Sequence, residues 1–266
     1  MQELVVVAMK GQALPAFAPR LAPLLGRDTV VLPAMNGVPW WFGRGVAALG
    51  DAPLQSVDPG GVVGRSIAYE HVLGCVVHAS TATSEPGLVE HRMGQGLIIG
   101  EPVGGLSERV QRVVALLQNA GFDATASANI RQDIWYKLWG NLTINPVTAI
   151  TGATSDRVLD DPLVRAFCSA AMREAAAIGE RLGCAIAQSP EDRHAITRKL
   201  GAFRSSMLQD GQAGRAIELD AIVGVMHEIA TGLGVDSPNI DALLGLTRLF
   251  GRVHGLYPDS PAAPAA

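Results

Sequence analysis

Two short runs, residues 4–8 (LVVVA) and 29–32 (TVVL), are continuously apolar or β-branched rather than alternating. A stretch with helical spacing at Leu14, Phe17, Leu21 and Leu25 lies between them. Strand, helix, strand is the reading this imposes. Strands without a polar face, joined through a helix, require a parallel sheet covered on both sides. The second run leads into Met35-Asn36-Gly37. An Asn-Gly pair is commonly a hairpin turn, but Val38-Pro39-Trp40-Trp41 is a poor partner strand.

Residues 72–101 read as several short strands, with turn signals at Glu85-Pro86-Gly87 and Met93-Gly94, extending the sheet in antiparallel fashion. After Ser107 the composition shifts from Val and Gly to Ala, Leu and Arg, and the pattern becomes helical. Helices are expected from Asp161-Pro162 to about Leu182, from Pro190, and over residues 217–233. The predicted class is α/β followed by all-α. The sheet-bearing part occupies residues 1–128, a helical part residues 129–256, and a disordered tail residues 257–266.

Composition narrows the function. With 17% charged residues and a net charge of −4, neither nucleic acid nor an anionic membrane is an expected partner. Cys75, Cys168 and Cys184 are odd in number and widely spaced, which suits buried thiols in a reducing cytoplasm rather than disulfides or zinc. No HExxH spacing suggests a metal, and no apolar run approaches the roughly 20 residues of a membrane span.

The segment IWYKLWGNLTINPVTAITG, residues 134–152, carries the chemistry. Lys137, Asn141 and Asn145 recur at four-residue intervals, so they run along one side of a helix beside Ile134, Leu138 and Leu142. One cation and two amides against an apolar seam look like the lining of a pocket. A lysine snorkelling from a helix edge is the commoner arrangement. Asparagines disfavour helix interiors, so two at this spacing shift the balance. Pro146 is expected to kink or end the helix there. Trp135, Tyr136 and Trp139 read as core or subunit-contact aromatics. A second constellation comprises Ser205, Ser206, Met207, Gln209 and Asp210, with Glu218 further on a helix face shared with Ile222, Val225 and Ile229. Glu218 is either a first-turn acid favoured by the helix dipole or a partner for Lys137.

KLWGNLTINPVTAITG, SSMLQD with its following glutamate, and VVVAMK with AMNG together resemble the ketopantoate reductase family, essentially from end to end. The resemblance implies an N-terminal NADP-binding Rossmann domain and a helical C-terminal domain of the 6-phosphogluconate-dehydrogenase type that supports homodimers. It implies hydride transfer from NADPH to a small 2-keto acid, 2-dehydropantoate, giving pantoate for pantothenate and coenzyme A. Under it, Lys137 is the general acid and Glu218 an acid that orients the site. Asn141, Asn145 and Ser206 hold the substrate, while Lys10 and Asn36 lie at strand ends near the cofactor.

One departure stands out. The family opens with GxGxxG after its first strand, cradling the cofactor pyrophosphate at a helix N-terminus. These 266 residues contain no such motif, and Met1 falls just before what would be the fourth strand of the sheet. The expectation is a truncated Rossmann sheet and a polypeptide poor at holding NADPH. A start placed too far downstream, a fragment, or a short protein would each produce it. Two alternatives to the ketopantoate reading stay open: a related 2-keto acid dehydrogenase of the same plan, and a non-catalytic, dimerising, ligand-binding remnant. Residues 39–69, longer than the matching family loop, could reshape substrate choice.

Overall fold

The computed structural model describes residues 1–259. Strands β1 (Leu4–Val7) and β2 (Val30–Pro33) pair in parallel, Leu4 opposite Val30, as the continuous apolar runs require. The connection between them is not one regular helix. It is divided among a 3-10 turn (Gly11–Ala13), α1 (Leu14–Phe17) and a second 3-10 segment (Ala18–Leu24). Prolines at 15, 19 and 23 remove the backbone donors that a longer α-helix would need.

A segment holding α2 (Val62–Ser66) leads to a parallel bridge between Val31 and Val72. That bridge carries the sheet on to β3 (Gly74–Glu85), which pairs antiparallel with β4 (Leu88–Gly100). Here the expected short strands are one long hairpin. Met93-Gly94 is a bulge within it rather than a turn, with the register shifting between His78 and Ser80. Helix α3 (Glu108–Asn119), capped by the Ser107 hydroxyl, then returns the chain to β5 (Asp123–Ser127), parallel to β4. Strand β5 was not expected. Its sequence, DATAS, carries little apolar signal because only Ala124 and Ser127 are buried. Val110, Val113 and Val114 of α3 pack on Leu32, Leu73, Leu97, Ile99 and Ala124, covering this face of the sheet.

The helical half begins with α4 (Ile130–Thr151), followed by α5 (Ser155–Asp160), α6 (Pro162–Arg181), α7 (Pro190–Arg198) and α8 (Ser206–Gln212). A π-helical turn (Asp220–Gly224), α9 (Val225–Leu233) and α10 (Pro238–Val253) complete it. The Asp-Pro and Ser-Pro starts hold: Asp161 accepts from the Leu163 and Val164 amides, and Ser189 forms a capping box with Asp192. Two expectations fail. Helix α4 continues through Pro146 to Thr151 and stops at Gly152, whose φ of +71° is left-handed. Pro146 is buried in tertiary contacts that outweigh the one lost hydrogen bond. The helix expected over residues 217–233 opens only at Asp220, so Glu218 lies in the preceding loop. Of the expected tail, Tyr257 is ordered, donating from its hydroxyl to Asp220 Oδ1 at 2.7 Å. Residues 260–266 lie outside the described residues.

Helix α4 is buried on almost every side. Trp135 and Trp139 donate from their indole nitrogens to the Ala175 and Met172 carbonyls of α6, at 3.2 and 2.7 Å. Both are core residues. The seam between sheet and helices is equally close. Phe42 stacks on Trp135 with centroids 5.9 Å apart. Gly37, at φ +80°, lies so near the π-helical turn that a Cβ would meet the Ala221 carbonyl carbon at 2.7 Å. Val38 donates its amide to the Ala221 carbonyl. Asn36-Gly37 is thus a close approach of two backbones, not a hairpin.

Candidate active site

The segment just after β2 and the strand β3 face α4, and the Lys137 side chain crosses the gap. Its ammonium donates to Asn36 Oδ1 at 2.8 Å and to the Val77 carbonyl. Asn36 stands just after β2 and Val77 lies within β3, so a helix and two strands converge on one nitrogen. Met35, Gly37, Cys75, Ile134, Leu138 and Asn141 line the narrow cleft around it. Burial in this apolar setting pulls the Lys137 pKa down to about 8, with Cys75 and Glu218 acting in the opposite sense. Cys75 is no counter-ion at neutral pH, because burial pushes its thiol up to about 12 despite the nearby lysine. The ionised group that offsets part of the desolvation is Glu218.

Glu218 does not bond Lys137. Its carboxylate accepts from Lys10 Nζ at 3.2 Å and from the Gly11 amide at 3.1 Å. Lys10 also donates to Asp210 Oδ2 at 2.6 Å, and Asp210 in turn accepts from Arg215 Nε at 3.1 Å. Both acids are buried. Burial alone would lower the Lys10 pKa, but Glu218 and Asp210 together outweigh it and raise the value. The pairing expected between Glu218 and Lys137 therefore becomes a through-space influence. The contact is made by Lys10 instead, which reaches across from the sheet to clasp two acids of the helical half.

Of the predicted residues, Lys137, Asn36 and Asn141 share the cleft. Asn145 is buried further along α4, where its carbonyl lies 3.5 Å from the Ser205 hydroxyl. Ser205 caps α8 and lies 2.6 Å from Thr148 Oγ1, tying α8 to α4. Ser206 is exposed at the first position of α8, and no side-chain hydrogen bond joins it to Lys137. Asp210, named in the second constellation without a role, proves to be the second acid that holds Lys10. Its signal was present, since an acid beside the apolar pair Met207-Leu208 on a short helix needs a cation.

Parallel strand ends facing a helical half, with a buried ammonium between them, are the plan of a two-domain oxidoreductase. Residues 129–250 match the family model for the C-terminal part of ketopantoate reductase PanE/ApbA. A 2-dehydropantoate 2-reductase from Mesorhizobium japonicum is 39% identical over 96% of this chain and 79% of its own length. The crystal structure of a candidate ketopantoate reductase from Ralstonia solanacearum MolK2 is 52% identical and superposes with a TM-score of 0.92, covering 96% of this chain and 78% of that one. The chain belongs to the ketopantoate reductase family. The same fold is found in D-mandelate dehydrogenase, solved with NADH and anilino(oxo)acetate. That likeness has a TM-score of 0.80 at 17% identity, over 96% of this chain and 77% of that one. Among the described residues no helix is long and apolar enough to cross a membrane.

Proposed function

We propose that the active site catalyses the NADPH-dependent reduction of 2-dehydropantoate to pantoate, with Lys137 as the general acid. The observation that carries this reading is the Lys137 ammonium itself, desolvated and held by two neutral acceptors with one proton left to give. With a pKa of about 8 it is charged at neutral pH yet ready to release its proton, the condition for general acid catalysis near pH 7. A nicotinamide held at the strand ends beside Asn36 would supply hydride for the keto carbon. Lys137 supplies the proton to the keto oxygen as negative charge develops there, and its charge stabilises that oxygen beforehand.

The other predicted residues take distinct parts. Asn36 orients the ammonium from the cofactor side, at the carboxyl end of β2, where open α/β sheets take their ligands. Asn141, in the same cleft, holds a hydroxyl or carbonyl of the substrate. Asn145 and Ser206 border the site towards α8. Glu218 acts through Lys10 and Gly11, keeping the two halves in register, and through its field on Lys137. We place the enzyme in the cytoplasm as a homodimer. Leu246, Leu249 and Val253, exposed along α10, form an apolar stripe that a second copy could cover.

A second reading, reduction of a different 2-keto acid, is favoured by the fold shared with D-mandelate dehydrogenase. The test is loss of NADPH absorbance with a panel of 2-keto acids, with cofactor affinity titrated separately. Turnover fastest with 2-dehydropantoate supports the proposal, and a clear preference for an aromatic keto acid transfers it to the second reading.

A further inference from the structure

Lys10 and Asn36 are each followed by a glycine, and both glycines rest on the same residue of the helical half, Ala221. A Cβ at position 11 would stand 3.6 Å from the Ala221 Cβ, and one at position 37 would stand 2.8 Å from it. The amide of Val38 donates to the Ala221 carbonyl at 2.8 Å. Ala221 is thus the stop against which both strand ends come to rest. It belongs to the π-helical turn Asp220–Gly224, a rare form of turn found mostly at functional sites.

That turn is held from the C-terminal end of the described chain. Tyr257 Oη donates to Asp220 Oδ1 at 2.7 Å, the one side-chain hydrogen bond of this acid among the described residues. Burial raises the Asp220 pKa and the Tyr257 hydrogen bond acts against the rise, so the carboxylate depends on that hydroxyl. Leu256 is buried, and its carbonyl accepts from the Ile217 amide at 3.0 Å. The strap formed by residues 255–258 is in turn fastened to α10. The Leu256 amide donates to the Gly251 carbonyl at 2.7 Å, and Arg252 Nε donates to the Pro258 carbonyl at 3.2 Å. The Arg252 guanidinium also lies 5.9 Å from the Tyr257 ring centre. Gly251 leaves room for this path, since a Cβ there would stand 2.7 Å from the Tyr257 Cβ.

We infer that Tyr257 is a positioning residue of the active site: through Asp220 and the π-helical turn it sets where Ala221 stops Gly37, and so where Asn36 meets the Lys137 ammonium. The path has few links. Tyr257 holds Asp220, the adjacent Ala221 holds Val38 and abuts Gly37, and Asn36 accepts from Lys137 at 2.8 Å. Its bearing on catalysis rests on the reductase reading proposed above.

An NMR pH titration of the cofactor-free protein, with lysine labelled at Cε with carbon-13 and the exposed Lys199 as internal reference, tests the inference. Tyr257→Phe keeps the ring and should lower the Lys137 midpoint by about half a pH unit, in the same direction as Asn36→Ala, because the ammonium loses an acceptor. In an Asn36→Ala background Tyr257→Phe should shift it no further. Asp220→Asn, which can still accept from the hydroxyl, should keep the wild-type midpoint. Circular dichroism melting establishes that each variant is folded. A Tyr257→Phe midpoint equal to that of the wild type, or two shifts that simply add, overturns the inference. The titration needs no turnover, so a wild type inactive on every 2-keto acid sinks the reductase reading alone. With an active wild type, Tyr257→Phe should lower kcat about 3- to 10-fold at unchanged KM, since Asn141 stays in place on α4. A change confined to KM contradicts the inference.

Discussion

Lys10 and Lys137 are two lysines on opposite sides of the same seam, and their surroundings drive them in opposite directions. Lys10, 42% exposed at its side chain, is neutralised by two buried acids and its pKa rises. Lys137 meets only an amide oxygen and a carbonyl, and its pKa falls to about 8. Residue type does not assign the role. A carboxylate shell makes a lysine a strut, and a neutral, apolar shell makes it an acid.

Removing each lysine, or its partner, should separate the strut from the acid. The largest effect belongs to the cleft: Lys137→Ala is expected to cut turnover about 10²- to 10⁴-fold, read from steady-state NADPH oxidation, with little change in fold. A near-unchanged rate would return Lys137 to an ordinary helix-edge lysine. Next comes the strut. Asp210→Ala should cost about 2 kcal/mol of stability in urea unfolding, since it strands Lys10 and Arg215 without their shared acceptor, and both cations are partly solvated. Unchanged stability would mean that the clasp contributes little.

A smaller effect has the opposite sign. Below pH 8 Lys137 is charged in both folded and unfolded chains, so its desolvation penalty is fully present. The penalty fades as pH rises from about 8 to the unfolded value near 10.5. Lys137→Met should therefore stabilise the fold by about 1–2 kcal/mol at pH 7, net of two lost hydrogen bonds, and by progressively less towards pH 10. Lys10→Met should instead destabilise throughout that range, because a raised pKa contributes stability until pH passes the folded value. Equal signs for the two variants would break the contrast.

The sequence made the parallel pair β1–β2, the starts of α6 and α7 and the Lys137–Asn141 stripe legible, because each rests on local periodicity or capping chemistry. Strand β5 escaped because pairing with β4, not its own side chains, makes DATAS a strand. The clasp escaped for a different reason. Lys10 and Glu218 are 208 residues apart, and nothing near either one announces the other. Gly140 and Arg193 are a milder instance, since a glycine inside KLWGN is an anomaly whose cause lies on another helix. Pro146 misled because burial, not propensity, decides whether α4 continues.

The chain contains three lysines, so the contrast can be read in one experiment. With lysine labelled at Cε with carbon-13, and Lys137→Arg and Lys10→Arg used to assign the signals, an NMR pH titration should show Lys137 changing near pH 8 while Lys10 stays charged beyond 10.5. A Lys137 transition at or above that of Lys10 would contradict the account.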